Sequence, residues 1–375
     1  MRLTVRSTHF TQMVAEPRTA GLCWRVGRRG IEVRCPSFFV RVDGVKDEPR
    51  HEGGRALCAV ALAGAILALA VSGAFGAAAA SATPYTRHLK LQLLHAESSV
   101  PELVIYGGSR AEKGEPGYFE SLTGIPGFNG SVMSCRPADV LAYSKYLHDL
   151  APGTRQFPVW FLSIEVFRVQ QIAHVEMRTM PGLLAYLPAD ILADITPLAP
   201  VAFTPPPDLV FPDGNAWRTD GSLRVSRYDV AVWNGVSREK LLATRLKQYL
   251  RNYANFAALD QAPEQMIERA IAQMNSWRWK PVIVLPPYSP ELLAALKQHG
   301  WDTLHRQTLA YLADLQTRHK LVVVDLSYIS SFGGWSSGLY DGVHGNTAIM
   351  RAVERAIVSH SDRALDPVVP YGVRR

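Results

Sequence analysis

Residues 103–110 have the sequence LVIYGGSR, an apolar run that ends in two glycines and is followed by Ser109 and Arg110. A short apolar run that is closed by glycine is typical of a buried strand. The polar residues after it favour the start of a helix. This stretch therefore predicts a strand, a tight loop and a helix, in that order.

The same alternation continues along the rest of the chain. Apolar runs that predict further strands lie at 128–133, 157–164, 281–285 and 321–326. Helix-length patterns lie at 136–150, 237–275, 290–319 and 346–360. Strands that alternate with helices predict an α/β fold with a mainly parallel sheet, covered on both faces. Because reactive groups in such sheets gather beyond the carboxyl ends of the strands, Ser109 is expected at the functional edge.

One long segment interrupts this alternation of strands and helices. Residues 173–234 are rich in turn signals, which include three consecutive prolines at 205–207 and the pair Asp220-Gly221. We therefore expect an insertion at about 173–234 within a domain that spans 102–365, followed by a tail at 366–375. A long excursion in a compact domain is often functional. Two interpretations stay open, a cap over the site and a surface elaboration without contact to substrate.

An uncharged segment precedes the α/β region. The 25 residues from Ala56 to Ala80 carry no charged side chain, and such a run is long enough to cross a bilayer. Arg50 and Arg55 precede it, whereas few basic residues follow directly, and this bias places the N-terminus in the cytoplasm. The sequence predicts a single-pass anchor in the inner or cytoplasmic membrane, with the catalytic domain on the periplasmic or extracellular side.

The uncharged segment has two other interpretations. Its alanine and glycine content also fits the apolar region of a cleaved signal sequence, with Ala80-Ser81-Ala82 as the cleavage site. A buried core helix is disfavoured, because core helices usually have a polar face and this segment has none. On either side we expect a basic, disordered cytoplasmic tail at 1–55 and a linker or helix at 81–101.

Charge and cysteine content exclude several classes of protein. Residues 1–55 hold 11 Lys and Arg against 6 Asp and Glu, which leaves 29 against 27 in the remainder. A nearly neutral main domain without a basic stripe does not predict nucleic-acid binding. Only Cys135 lies within that domain, so it has no disulfide framework. The sequence lacks metal-binding histidine spacings and a phosphate loop, so neither a metal nor a cofactor is expected.

The segment 340–344, with the sequence YDGVH, precedes the last predicted helix. A serine hydroxyl becomes a good nucleophile only when a base removes its proton, and a histidine oriented by a carboxylate is suited to that work. Ser109 alone would more often be a helix cap, and the 340–344 loop alone could be a solvated turn. Together, Ser109, His344 and Asp341 supply a nucleophile, a base and an orienting carboxylate.

The joint arrangement of these residues resembles the SGNH, or GDSL, hydrolase superfamily. A serine at the first strand and Asp341-x-x-His344 before the last helix match its pattern over roughly residues 102–360. The resemblance implies a flavodoxin-like three-layer α/β/α sandwich, a serine nucleophile, and ester hydrolysis or acyl transfer. The segment 107–110 looks most like the membrane-anchored, cell-envelope branch, which includes the D-alanyl-transfer and alginate O-acetylation proteins.

Two further blocks of the superfamily were compared with the chain. The segment 128–134 looks like the second block, which implies that the main-chain N–H of Ser134 helps to hold the oxyanion, with Gly130 as the alternative. The third block normally supplies an asparagine side chain after the third strand. Residues 161–165 have the sequence FLSIE and contain no asparagine, so the chain departs from the family at this point.

Four more residues are candidates for contact with substrate. Glu165 would repel an oxyanion, so we expect it to point away or to pair with Arg110 or Arg168 as a structural ion pair. Arg110 either neutralises Glu165 or binds a substrate carboxylate or phosphate. Trp335 and Tyr340 could form a platform for a sugar, although packing against the sheet is the plainer interpretation.

These expectations combine into one functional hypothesis and one alternative. The first is a membrane-anchored serine esterase or O-acyltransferase that acts on acyl esters of cell-envelope or exopolysaccharide glycans. The alternative is a non-catalytic protein of the same fold that serves as a scaffold in an envelope polysaccharide assembly system. The missing asparagine of the third block favours the scaffold, and the intact triad favours the enzyme.

Overall fold

The computed structural model describes residues 85–168 and 172–361, together with four strands near the N-terminus. These four strands pair as an antiparallel sheet in the order β1-β4-β3-β2, and they are β1 Arg2–Ser7, β2 Cys23–Gly27, β3 Gly30–Cys35 and β4 Phe38–Asp43. They lie within the segment 1–55, for which the composition predicts a disordered tail. The expected anchor at 56–80 lies outside the described residues. In the described part of the chain, no helix is long and apolar enough to span a bilayer.

The main domain is built on a five-stranded sheet. Its strands are β5 Leu103–Gly107, β6 Gly127–Asn129, β7 Phe157–Phe161, β10 Val282–Leu285 and β11 Val322–Asp325. A separate antiparallel hairpin contains β8 Ala216–Trp217 and β9 Leu223–Val225. The order in the large sheet is β11-β10-β7-β5-β6, and every neighbouring pair is parallel. The predicted α/β fold with a mainly parallel sheet is therefore confirmed.

The sheet separates two apolar cores, as a strand repeat of two residues requires. In β5, Val104 and Tyr106 belong to one core, whereas Leu103 and Ile105 belong to the other. The helices, numbered along the chain, are α1 Thr86–Ala96, α2 Pro116–Thr123, α3 Pro137–Leu150, α4 Val175–Arg178, α5 Pro181–Leu184, α6 Ala189–Ala193, α7 Arg227–Trp233, α8 Arg238–Tyr253, α9 Gln261–Ser276, α10 Pro290–Lys297, α11 Trp301–Arg318 and α12 Thr347–His360. Helices α1, α3, α9 and α11 contribute to the first core, and α2 and α12 contribute to the second. This arrangement is consistent with a three-layer sandwich.

Two helical stretches that the sequence predicts as continuous are each divided. The stretch 237–275 becomes α8 and α9, which residues 254–260 separate; Pro263, which has no N–H, lies in the first turn of α9, where proline is tolerated. The stretch 290–319 becomes α10 and α11, where Gly300 has a φ of 88° in the left-handed region. A glycine in that conformation ends a helix at little cost.

The segment 173–234 packs onto the main domain as an insertion. Met177, Leu183 and Trp217 are buried in the same apolar core as one face of the sheet. The turn between β8 and β9 is attached to strand β6, because the amide of Asn129 donates to the carbonyl of Asp220 over 2.8 Å. The insertion is thus held close to the carboxyl edge of the sheet.

Candidate active site

Ser109 lies in the turn directly after β5, at the carboxyl edge of the sheet. Gly107 has a φ of 148°, and a Cβ at this position would lie 2.9 Å from the Cβ of Phe161 and 3.1 Å from that of Ala111. The turn then closes when the amide of Ala111 donates to the carbonyl of Gly108 over 2.9 Å. A glycine at 107 is therefore what allows the chain to turn so sharply and leave Ser109 half-buried at the edge.

Ser109, His344 and Asp341 form a continuous polar chain. The Oγ of Ser109 lies 2.8 Å from the Nε2 of His344. The Nδ1 of His344 lies 2.9 Å from the Oδ2 of Asp341. The loop that carries the histidine is closed by a hydrogen bond from the amide of Tyr340 to the carbonyl of His344, 2.9 Å long. The three residues thus have the relative geometry that a nucleophile, its base and an orienting carboxylate require.

The carboxylate of Asp341 is fully hydrogen-bonded. Its Oδ1 accepts the main-chain N–H groups of Val343 and His344, over 3.2 and 3.0 Å, and its Oδ2 accepts Nε of Arg245 over 2.7 Å. Burial by itself would raise the pKa of Asp341, but the charges and hydrogen bonds of His344 and Arg245 hold it well below its ordinary range. Asp341 is therefore ionised at any pH at which the domain is expected to work.

His344 is buried, and its environment favours the neutral ring. Burial lowers the pKa of His344 below its ordinary value of 6.5, and the positive charges of Arg245 and Arg227 act in the same direction. Asp341 opposes this shift but does not reverse it. Near neutral pH the imidazole is thus in the form that accepts a proton.

Two main-chain amides near Ser109 are available to bind an oxyanion. In the described part of the chain, no acceptor bonds to the amides of Ser109 or Ser134, and both residues line the cavities at the triad. Ser134 has a φ of 52°, a left-handed conformation that is uncommon for serine. The amide of Gly130, the alternative, donates to the carbonyl of Ile105 over 2.9 Å, so the structure favours Ser134 of the two.

Arg87 stabilises the left-handed conformation of Ser134. This arginine donates to the carbonyls of Met133 and Ser134, over 3.1 and 3.3 Å. It is completely buried and is held by Asp139, at 2.7 Å, and by Glu176 from the insertion, at 3.3 Å. A fixed guanidinium behind the loop thus holds the backbone of Met133 and Ser134 in place.

Arg110 is buried, lines both cavities beside Ser109, and is anchored by contacts within the protein. It donates to the carbonyls of Pro286 and Pro287, the first of these bonds being 2.8 Å long. Its guanidinium also lies over the ring of Tyr288, 4.2 Å from the centroid. These contacts tie the loop that carries Ser109 to the end of strand β10.

Glu165 lies beside Arg110 in a cluster of tyrosines. Its Oε2 lies 3.8 Å from the Nη1 of Arg110, and its Oε1 accepts the hydroxyls of Tyr253 and Tyr288 over 2.9 and 2.8 Å. Arg168 donates elsewhere, to the carbonyl of Asn252. Of the two partners expected from the sequence, the structure therefore pairs Glu165 with Arg110.

Neither candidate for a sugar platform lines the two cavities that the described residues form beside Ser109. Trp335 is 41% exposed, on the loop that precedes the 340–344 segment. Tyr340 stacks on Tyr228, and its hydroxyl donates to Asp229 of the insertion. Tyr340 thus joins the histidine loop to the insertion, which is a packing role.

Two cavities meet beside Ser109, and the residues that line both are Ser109, Arg110, Ser134, Arg245 and His344. The first, of about 150 Å³, is walled on one side by residues of the insertion, namely Asn215, Leu223, Ser226, Arg227 and Tyr228. The second, of about 260 Å³, is walled by residues at and after the end of β7, including Trp160, Phe161 and Val166. Because the insertion forms one wall of a cavity at Ser109, its contacts favour the cap over the surface elaboration.

Sequence reasoning missed the residues that surround the triad. Arg245 is one of several cations along α8, and no pattern in that helix marks which of them turns inward. Tyr228 belongs to a segment with a visible signal, because Ser226 and Asp229 form a capping box at the start of α7. That signal predicts the start of a helix and does not indicate contact with His344.

Within residues 85–168 and 172–361, no three His, Cys, Asp or Glu side chains form a group that could hold a metal ion. Comparison with protein-family models and with curated proteins finds no match for this chain. Function is therefore inferred from the geometry of the site.

Proposed function

We propose that the domain is a serine esterase or O-acyltransferase of the SGNH-hydrolase type, with Ser109, His344 and Asp341 as its catalytic triad. The observation that carries the proposal is the 2.8 Å contact between the Oγ of Ser109 and the Nε2 of His344. These atoms belong to residues at opposite ends of the domain, and the contact continues directly to a buried carboxylate. The fold does not require a serine, a neutral histidine and an aspartate to be in contact in this order, so their alignment supports a catalytic role.

The order of strands supports the same proposal. Numbered within the domain, the sheet has the order 2-1-3-4-5, which is that of flavodoxin-like folds. Ser109 follows the first strand and His344 precedes the last helix, as in the SGNH pattern. The segment 161–165 has no asparagine to act as the third oxyanion donor of that family, so the amides of Ser109 and Ser134 would bind the oxyanion without it.

The reaction follows from these positions. The Oγ of Ser109 attacks the acyl carbonyl carbon while its proton passes to the Nε2 of His344, and Asp341 stabilises the imidazolium. The amides of Ser109 and Ser134 bind the oxyanion of the tetrahedral intermediate. When that intermediate collapses, the alcohol leaves with the proton from Nε2, and the acyl group stays on Ser109. A second hydroxyl compound then attacks the acyl carbon and gives its proton to His344, and the Oγ of Ser109 leaves and takes that proton back.

The identity of that second compound distinguishes the two activities, since water gives an esterase and a sugar hydroxyl gives an O-acyltransferase. The polar side chains of the first cavity, such as Asn215 and Ser226, are compatible with a hydroxyl-rich acceptor. Attachment to the inner or cytoplasmic membrane, with the domain outside the cell and acting on acylated envelope or exopolysaccharide glycans, is part of the proposal. It rests on the uncharged segment 56–80 and on the resemblance to the cell-envelope branch.

Hydrolysis of p-nitrophenyl acetate by the full chain tests the proposal. Ser109→Ala and His344→Ala should each lower the rate by about 10³-fold or more, because the triad acts as a unit. Ser121→Ala is the matched control, since this serine is exposed on α2, away from both cavities. A folded wild-type chain without activity toward this ester, with or without a sugar acceptor, would favour the non-catalytic scaffold instead.

A further inference from the structure

The carboxylate of the triad has a second partner that the hydrolase pattern does not include. Arg245, on helix α8, donates from Nε to the Oδ2 of Asp341 over 2.7 Å. The same Oδ2 lies 2.9 Å from the Nδ1 of His344, so one carboxylate oxygen is shared between the base and the arginine. The side chain of Arg245 is 13% exposed and that of Asp341 is 2% exposed, so solvent screens this pair only weakly.

The base also has a partner on its ring face. The ring of Tyr228 stacks on the imidazole of His344, with centroids 4.5 Å apart and planes inclined by 23°. The hydroxyl of Tyr228 accepts from the guanidinium of Arg245 and, over 3.1 Å, from that of Arg227. Tyr228, Arg245, Asp341 and His344 therefore form a closed ring of contacts around the imidazole.

We infer that Arg245 and Tyr228 are positioning residues that the insertion and the helix after it supply to the triad. This inference rests on the proposed function. Arg245 fixes Asp341 from the side opposite the main-chain amides, and Tyr228 fixes the plane of His344. Together they hold Nε2 on the Oγ of Ser109 before substrate binds, which is the preorganisation that a proton transfer needs.

The inference also assigns a role to the charge of Arg245. The charged or titratable groups that face His344 are Asp341 on its own loop, Arg245 on α8, and Arg227 and Tyr228 on α7. Without an arginine, the carboxylate would stabilise the imidazolium more strongly, and the base would stay protonated at a higher pH. Arg245 thus balances Asp341, so that the carboxylate orients the histidine while the ring remains neutral.

Three variants separate charge from geometry. Arg245→Gln removes the charge, so kcat should fall about tenfold to a hundredfold and the acid limb of the rate profile should move up by about one pH unit. Arg245→Lys keeps the charge without the planar fork, so kcat should fall while the acid limb stays in place. Arg269→Gln is the matched control, because Arg269 also pairs with an aspartate, Asp190, but on an exposed surface. It should leave both readouts unchanged.

A direct titration keeps the inference testable even without ester hydrolysis. The ring signal of His344, identified by its loss in His344→Gln, is followed against pH by NMR in the wild type and in Arg245→Gln. A higher titration midpoint in Arg245→Gln supports the inference, and the same midpoint in both proteins overturns it. A fully active Ser109→Ala would overturn the proposed function and would leave this titration to decide on Arg245 separately.

Discussion

Replacement of Asp341 by asparagine should leave His344 in place and remove its function as a base. The amide oxygen of Asp341→Asn would stay where the N–H groups of Val343 and His344 point, at the present Oδ1. The NH₂ group would then occupy the place of Oδ2, which now lies 2.7 Å from the Nε of Arg245 and 2.9 Å from the Nδ1 of His344. The Nδ1 of His344 also lies 3.0 Å from Oδ1, so an Nδ1–H would keep one acceptor there, but it would then face the NH₂ group at 2.9 Å. Because an NH₂ group only donates, the amide favours the tautomer that accepts at Nδ1 and carries its proton on Nε2.

The size of the effect follows from this tautomer. A ring that is protonated at Nε2 presents a donor to Ser109 and cannot take its proton, a defect that costs about 10³ to 10⁴-fold in kcat for a triad. At 1.36 kcal/mol for each factor of ten, this corresponds to about 4 to 5 kcal/mol of transition-state stabilisation. Arg245 also loses its acceptor in a partly buried place, so the free energy of unfolding should fall by about 1 to 3 kcal/mol.

The assay compares kcat for p-nitrophenyl acetate in Asp341→Asn with that in Asp325→Asn. Asp325 is a matched control, because its Oδ2 lies 2.9 Å from the Nε2 of His305 in another aspartate–histidine pair, at the end of β11. Neither member of that pair lines the cavities at Ser109. The tautomer argument fails if Asp341→Asn, still folded by circular dichroism, keeps its activity within about tenfold of the control.

Two further predictions concern the support of the site, and urea unfolding measures both. Arg87→Met should lower the free energy of unfolding by about 3 to 5 kcal/mol, because two buried carboxylates lose their counter-ion. An unchanged urea midpoint would contradict this role. Gly221→Ala should destabilise by about 2 kcal/mol more than Gly235→Ala, because both have a φ of 78° but only at 221 would a Cβ overlap the carbonyl oxygen of Asn129. Equal losses would mean that backbone strain alone matters.

The fold could be predicted from the sequence because three of the five strands in its main sheet, β5, β7 and β10, are fully buried. A strand such as Val282–Leu285, with all four residues buried, has to be an uninterrupted apolar run, and such runs are visible without a structure. The ends of the helices were harder to predict from the sequence. The sequence marks the start of α9 only by Pro263, and a proline in the first turn has the same local signature as one that only kinks a helix.

The residues of the proposed triad could be predicted from the sequence, whereas the residues that surround them could not. Ser109 and the 340–344 segment stand next to glycines in short loops after strands or before helices, so their position along the chain already places them at one edge. Arg245 and Tyr228 reach His344 only through the packing of α7 and α8 against that edge. Such contacts depend on the rotation of a helix about its axis, which the amphipathic pattern of a mostly exposed helix does not determine.

Covalent labelling of the full chain with a fluorophosphonate tests the central claim most directly, because this electrophile reacts with a serine that a neighbouring base activates. After digestion, mass spectrometry identifies the modified residue. The proposed triad predicts one adduct on Ser109 in the wild type and almost none in His344→Ala. A folded wild-type chain without an adduct on Ser109, or equal labelling of Ser109 in both proteins, would contradict it.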